Sequence, residues 1–185
     1  MLHIQLTPFP SLHTPRLTLR QLQPSDAEAI LFSRSNEDMM RYIPREKDHS
    51  LDQAHRHLAL LSDLQARNEG ITWGLSQPPS VELLGTICLW NLQPAHHRAE
   101  IGYGLHPDHW GQGLMSEAVA AVLRFGFEDL QLHTIEAKLD PANTASIKLL
   151  ERHGFVREGY FREDYRFQDR FLDTAVYTCH ASSGS

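Results

Sequence analysis

The sequence predicts a mixed α/β (α+β) fold in which helices alternate with the strands of a largely antiparallel sheet. Three patterns lead there. Residues Arg16 to Leu22 alternate apolar and polar side chains, the period of a half-buried strand. Ala54, Leu58, Leu61 and Leu64 recur at spacings of four, three and three, which gives a helix one apolar stripe. Two strand-like runs, Leu83 to Leu92 and Arg98 to His106, are separated only by the turn Gln93 to His97, and a long helical pattern and a further strand follow them. That last succession implies one βαβ-like crossover.

The elements follow in order. After the first strand, Pro24-Ser25-Asp26 opens a helix, with Ser25 or Asp26 as its cap and Ala29 to Phe32 as its apolar content. Met39, Met40, Tyr42 and Ile43 form a short apolar piece ended by Pro44. The striped helix runs from Leu51 to about Asn68, and Gly70 stops it. Ile71 to Leu75 is a short strand, broken from the next by Pro78-Pro79. The antiparallel pair follows, then a helix from Leu114 to Leu130 with Val119, Val122, Leu123 and Phe127 near one face. His133 to Asp140 alternates as a strand. Pro141-Ala142-Asn143 turns into a helix from Thr144 to His153, which Gly154 ends. Val156 to Cys179 reads as two strands around Gln168-Asp169-Arg170, and Ala181 to Ser185 as a loose polar tail.

The bulk numbers narrow the class of protein. At 185 residues the chain suits one well-buried domain, 1–185, and 41% apolar with 22% charged residues is ordinary for a soluble globular protein. No apolar run is long enough to span a membrane, and Met1 to Pro10 lacks the pattern of a signal peptide, so a cytoplasmic location is expected. Cys88 and Cys179 are too few for a disulfide framework. A formal charge of −6 speaks against a nucleic-acid partner and is compatible with a cationic one. The chain has 12 histidines, but no helical pair with a third ligand and no HExxH, so no metal is expected.

The richest segment for chemistry is His109-Trp110-Gly111-Gln112-Gly113-Leu114-Met115-Ser116-Glu117, between a strand and a long helix. Two glycines just before a helix let backbone N–H groups converge. The first helical amides lack internal partners and sit at the positive end of the helix dipole. This is a cradle for a phosphate, though not a P-loop, since no Gly-Lys-Ser/Thr follows. In the strand before it, Glu100, Gly102 and Gly104 share one face and Ile101, Tyr103 and Leu105 the other. A ligand chain lying along the bare glycines would meet Glu100 at its end; the alternative is a surface glutamate beside a bend.

These residues resemble a known family. Ala99-Glu100-Ile101-Gly102-Tyr103, Trp110-Gly111-Gln112-Gly113 with Glu117-Ala118, and the run Asn143 to Leu150 with Gly154-Phe155 and Glu158-Gly159 are similar to the GNAT N-acetyltransferases. Within that superfamily the likeness is to the RimJ/RimL-type ribosomal-protein N-terminal alanine/serine acetyltransferases. Thr14 to Arg20 and Asp173 to Tyr177 fit the same group, so the resemblance spans about residues 14–178.

The resemblance implies a sheet whose central strands, Arg98 to His106 and His133 to Asp140, splay apart, flanked by about four helices. It implies acetyl-CoA as cosubstrate, its arm against Tyr103, Gly104 and Leu105. Its pyrophosphate would lie on the segment Trp110, Gly111, Gln112, Gly113, Leu114, Met115 and Ser116. Asn143 would contact the cofactor or position the amine, or act only as a helix cap. Ser146 would protonate the departing thiolate, or bond only within its own helix. Glu100 is the candidate general base. Some relatives carry a glutamate where this chain has Tyr165, which keeps the neighbouring Glu163 and Asp164 as alternatives.

The acceptor implied is a protein N-terminal amine. The alternatives are a small cationic amine (an aminoglycoside or polyamine) or no reaction at all, in a non-catalytic acyl-CoA-binding sensor. The state expected is a monomer or homodimer. Trp73, Trp90 and Tyr42 are candidates for the acceptor pocket or for the core.

Overall fold

The structure is a computed structural model and describes residues 1–181. The expected loose tail therefore lies, beyond Ala181, outside the described residues. Strands β1 (Leu12–His13), β2 (Thr18–Gln21), β3 (Ile71–Ser76), β4 (Gly85–Gln93), β5 (Arg98–Leu105), β6 (Thr134–Leu139), β7 (Val156–Phe167) and β8 (Arg170–His180) form one sheet in the order β1-β2-β3-β4-β5-β6-β8-β7. Five α-helices accompany them: α1 (Ala27–Ser35), α2 (Glu37–Met40), α3 (Leu51–Ala66), α4 (Leu114–Arg124) and α5 (Thr144–Arg152). No helix among the described residues is long and apolar enough to cross a membrane.

Every neighbouring pair is antiparallel except β5 and β6, which are parallel and are joined by the crossover through α4 that parallel strands require. That exception governs the molecule. β5 and β6 pair only at Arg98–Thr134, Ala99–Ile135 and Glu100–Glu136, then diverge. From Ile101 to Leu105 the β6-facing edge of β5 has no strand partner.

The core lies under α4. Its Leu114, Ala118 and Val122, with Met115 and Val119, recur at the helical period and are buried. They pack on the sheet face that carries Trp73, Ile87, Leu89 and Ile101. Burying each such Leu or Ile contributes roughly 1.5–3 kcal/mol. On the other face, α1 and α3 pack together around Ile30 and Ala54.

Three expectations needed adjustment. The helix expected to Leu130 is α-helical only to Arg124 and ends in a π-helical turn, Phe125–Asp129. Within it, a Cβ on Gly126 would stand 2.7 Å from Ile135, so the wider turn lets the chain lie close on β6. The short apolar piece before Pro44 contains the one-turn helix α2, capped by Asn36, whose side chain accepts from the N–H groups of Asp38 and Met39. β1 has only two residues, too few to show a period.

At Gly85 the β4 and β5 backbones touch: a Cβ there would lie 2.3 Å from the Gly104 carbonyl oxygen and 2.9 Å from Leu105 Cα. Backbone cannot yield as a side chain tip can. Gly85→Ala is expected to destabilise by about 2 kcal/mol, lowering the melting temperature by about 4–8 °C for a chain of this size. An unchanged thermal unfolding curve would show that β5 is free to shift.

Candidate active site

The parting of β5 and β6 opens a cavity of ≈ 1060 Å³. It runs from the loop before α4, past Gly102 and Gly104, to a roof made by α1, α2, the following loop and α3. A cavity of that size is large for one small molecule and suits two substrates meeting.

At one end is the glycine loop. Gly111 and Gly113 have φ of +73° and +76°, which only glycine adopts without strain, and Gly113 is the N-cap of α4. Among the described residues, no backbone N–H from Gly111 to Ser116 has a hydrogen-bond acceptor in the protein. Gly111, Gly113, Leu114, Met115, Ser116 and Trp110 all line the cavity; Gln112 does not. Its carbonyl instead accepts from Arg16 Nη1 at 2.9 Å and its side chain donates to the Asp108 carbonyl. Met115 is buried in the core as well as lining the cavity, and its amide is among those without an acceptor. Trp110 Nε1 donates to the Leu105 carbonyl at 2.7 Å and fixes the loop to the end of β5.

A clamp holds the loop from outside. Glu117, in the first turn of α4, accepts from Arg16 Nε at 2.8 Å, from the Arg16 amide at 2.8 Å and from the Thr14 hydroxyl. Burial pushes its carboxyl upward, but these donors outweigh burial and hold it below the usual range. Two motifs recognised separately in the sequence, Thr14 to Arg20 and Glu117-Ala118, are thus one contact. Sequence reasoning missed it because the partners are 101 positions apart.

In the middle of the cavity the Tyr103 hydroxyl and Ser146 Oγ are 2.6 Å apart. Burial pushes the Tyr103 phenol up to about 12, against the opposing effect of the Ser146 hydrogen bond, so it is protonated at working pH. Asn143 caps α5, its Oδ1 accepting from the Ser146 amide at 3.2 Å, and also lines the cavity. The cap fixes the first turn and with it the direction of Ser146. Gly104 and Leu105 complete this stretch of wall. Cys88 lies behind Gly102, its thiol pushed up to about 11 by burial and so uncharged.

Glu100 stands at the point where the strands part. It is buried, at 4% exposure. Its Oε1 accepts from Asn91 Nδ2 at 2.5 Å and from Lys138 Nζ at 3.0 Å. Among the described residues its Oε2 has no hydrogen-bond partner, and it is not sealed from solvent. Glu100 is not itself among the residues lining the cavity, although its face-mates Trp90, Gly102 and Gly104 are. Glu163 and Asp164 sit on the exposed β7–β8 hairpin, at a register shift, and do not line the cavity either. Of the three aromatic candidates, Tyr42 and Trp90 line the cavity. Trp73 is fully buried on the opposite face with Nε1 donating to the Pro10 carbonyl.

The roof carries a charged group that sequence patterns did not single out. Arg34 of α1 pairs with Asp48, Nε to Oδ2 at 2.5 Å, and its Nη1 lies 3.3 Å from His57 Nε2 of α3. Burial would raise the Asp48 carboxyl, but the hydrogen-bonded guanidinium holds it below the usual range. Burial, then Arg34 and Arg45, push His57 down to about 4 against the weaker pull of Asp48. The ring is therefore neutral at pH 7 and free to accept from Arg34.

A donor-sized cleft at parted parallel strands, bounded by an amide cradle at a helix N-terminus, defines an acyl-CoA-type transferase site. The comparisons agree. The acetyltransferase (GNAT) domain family matches residues 16–156, and the chain belongs to that family. It is 40% identical to the uncharacterized N-acetyltransferase YoaA of Bacillus subtilis (strain 168), over 92% of this chain and 96% of that one. It is 27% identical to the [ribosomal protein uS5]-alanine N-acetyltransferase of Escherichia coli (strain K12), over 90% of each. The crystal structure of a GNAT-family acetyltransferase from Bacillus anthracis superposes with a TM-score of 0.82 at 27% identity, covering 92% of this chain and 98% of that one. The protein is an acetyl-CoA-dependent N-acetyltransferase.

The His57 shift fixes a pH dependence. Between about pH 6.5 and 4 the unfolded chain binds a proton at His57 that the folded chain refuses, so this group's contribution to stability falls as pH falls through that window. His57→Gln is expected to lose less stability than wild type in denaturant titrations between pH 7 and 4.5. Parallel losses would show that the ring takes up its proton freely in the fold.

Proposed function

We propose that the enzyme acetylates the N-terminal α-amine of a protein, of the ribosomal-protein alanine/serine type, by direct attack on the thioester. One observation carries the reading. A single continuous cavity joins the unsatisfied amides of Gly111 to Ser116, the unpaired edge of β5, the Tyr103–Ser146 pair and an open roof.

In this reading the loop amides hold the cosubstrate's pyrophosphate, and the free edge from Tyr103 to Leu105 holds its arm as a missing strand would. Acetyl-CoA supplies an acetyl group activated as a thioester. Glu100 Oε2 takes the amine's proton through a water, while Lys138 and Asn91 hold the other oxygen in place. The Ser146 hydroxyl gives a proton to the departing sulfur and is resupplied by the Tyr103 hydroxyl 2.6 Å away. An α-amine asks less of a base than an alkylamine: its pKa of about 8 leaves part of it unprotonated near neutrality, against about 10.4 for the alkylamine. The E. coli relative's name, an alanine N-acetyltransferase of ribosomal protein uS5, supports the same acceptor class.

The direct test is thiol release from acetyl-CoA with synthetic N-terminal peptides of ribosomal proteins, set against spermidine and an aminoglycoside. Peptides are expected to react; reaction confined to the small amines would overturn the reading.

Two variants probe the assigned residues. Glu100→Gln is expected to lower turnover by about 100-fold or more while calorimetry shows acetyl-CoA affinity little changed. Undiminished turnover would leave Glu100 as a strut of the sheet only. Gly113→Val forces a branched side chain into a left-handed backbone, with Cβ 3.5 Å from Arg16 Nη2. It is expected to weaken acetyl-CoA binding by about tenfold or more. Unchanged affinity would remove the loop from the phosphate site.

A further inference from the structure

The acidic excess of the chain does not extend to its cavity. The formal charge is −6, yet the lining carries Arg34, Arg41, Arg45 and Arg152 against a single carboxylate, Asp38. Arg152 belongs to the phosphate end, since its neighbour His153 contacts Ser116. The other three arginines belong to the roof, on the acceptor side.

Their partners differ. Arg34 is neutralised by Asp48. Arg41 lies over the Tyr42 ring, 5.6 Å from its centroid. Arg45 has no ion-pair partner of its own: among the described residues no carboxylate lies within salt-bridge distance, and its one side-chain hydrogen bond goes to the Met40 sulfur at 3.6 Å. Asp48, whose charge acts on Arg45 in the opposite sense to burial, is already hydrogen-bonded by Arg34. Arg45 is half-buried, and burial together with the like charge of Arg34 disfavours its charged form. A thioether is a weak acceptor and leaves most of the five guanidinium donors free.

A partly desolvated, unpaired guanidinium is costly to keep unless a ligand supplies the anion. Carboxylate is the planar group that such a fork binds best with two parallel hydrogen bonds. A cation lining the cavity also disfavours a polyamine or an aminoglycoside there by like-charge repulsion.

We infer that Arg45 is a specificity residue that binds a carboxylate carried by the acceptor close to the amine being acetylated. This rests on the reading above that the enzyme acetylates an α-amine, and narrows it. The acceptor is an N-terminus with an acidic side chain among its first residues, or an amino acid whose own carboxylate takes that place.

The test measures kcat/KM by thiol release on amidated alanyl peptides that differ only in aspartate against asparagine, or glutamate against glutamine, at the second and third positions. Free glutamate and its α-amide form a separate arm. Wild type is expected to favour the acidic peptide by about tenfold or more over its amide isostere, the scale of one charge-assisted contact. In Arg45→Met that ratio collapses toward one, while Arg45→Lys keeps part of it and calorimetry with acetyl-CoA shows unchanged affinity in both. Preference for the carboxylate only in the free amino acid arm assigns the site to a small acceptor and upholds the role of Arg45. A wild-type preference for neutral or basic peptides, a ratio that survives Arg45→Met, or a loss of acetyl-CoA affinity in Arg45→Met overturns the inference. Absence of thiol release with every amine would instead overturn the function on which it rests.

Discussion

At the last paired rung between β5 and β6, two buried carboxylates face each other. Glu100 lies opposite Glu136, an arrangement that destabilises a strand pair when left alone. Lys138 spans them, its Nζ 3.0 Å from Glu100 and 3.2 Å from Glu136, and Arg98 adds a second contact to Glu136. Backbone pairing holds up to this rung and stops there. Past this rung the strands part, and Gly102 and Gly104 line the cavity. Because Lys138 is two residues past Glu136, the same ammonium that bridges the carboxylates sits on β6 just as it leaves β5. The charge pair and the parting of the strands are one feature.

Everything at the site hangs from that opening. The freed edge of β5 offers backbone groups that no strand uses. Tyr103, pointing to the α5 side, meets Ser146 across the gap. The loop after β5 is tied to its end by Trp110 and to the N-terminal segment by the Arg16–Glu117 clamp, so its amides are held in place before any ligand arrives. Such preorganisation is worth more to binding than additional contact area. The roof is built differently, from side chains of α1, α2, α3 and the loop between α2 and α3, with its positive charge in Arg34, Arg41 and Arg45, and it is braced by Tyr165 of the long hairpin through the Pro44 carbonyl. On the proposed reading, a donor side built from backbone amides and an acceptor side built from side chains suit a fold that keeps one donor and varies the acceptor.

The sequence displayed the donor side because its features are local. Alternation in β5, the two glycines before α4 and the Asn143 cap each lie within a few residues and announce themselves by period or residue type. What sequence could not display were pairings between distant positions. Glu100 shows its strand face from its neighbours but not Lys138, 38 positions on. Arg16 and Glu117 appear as unrelated motifs. The arginines of the roof have no period, since they come from a helix and an irregular loop, and the net charge of the chain points away from them. The two-residue strand β1 and the one-turn helix α2 are shorter than any pattern that would reveal them.

The central claim is that the parting of β5 and β6 makes the cosubstrate's seat, with backbone amides as its main contacts. Amide hydrogen exchange with and without acetyl-CoA tests this most directly, because it reads the backbone itself. The account predicts slowed exchange concentrated at Tyr103 to Leu105 and Gly111 to Ser116, with the β1–β3 side of the sheet unchanged. Protection centred elsewhere, or spread evenly over the sheet while those two segments exchange as before, would contradict it.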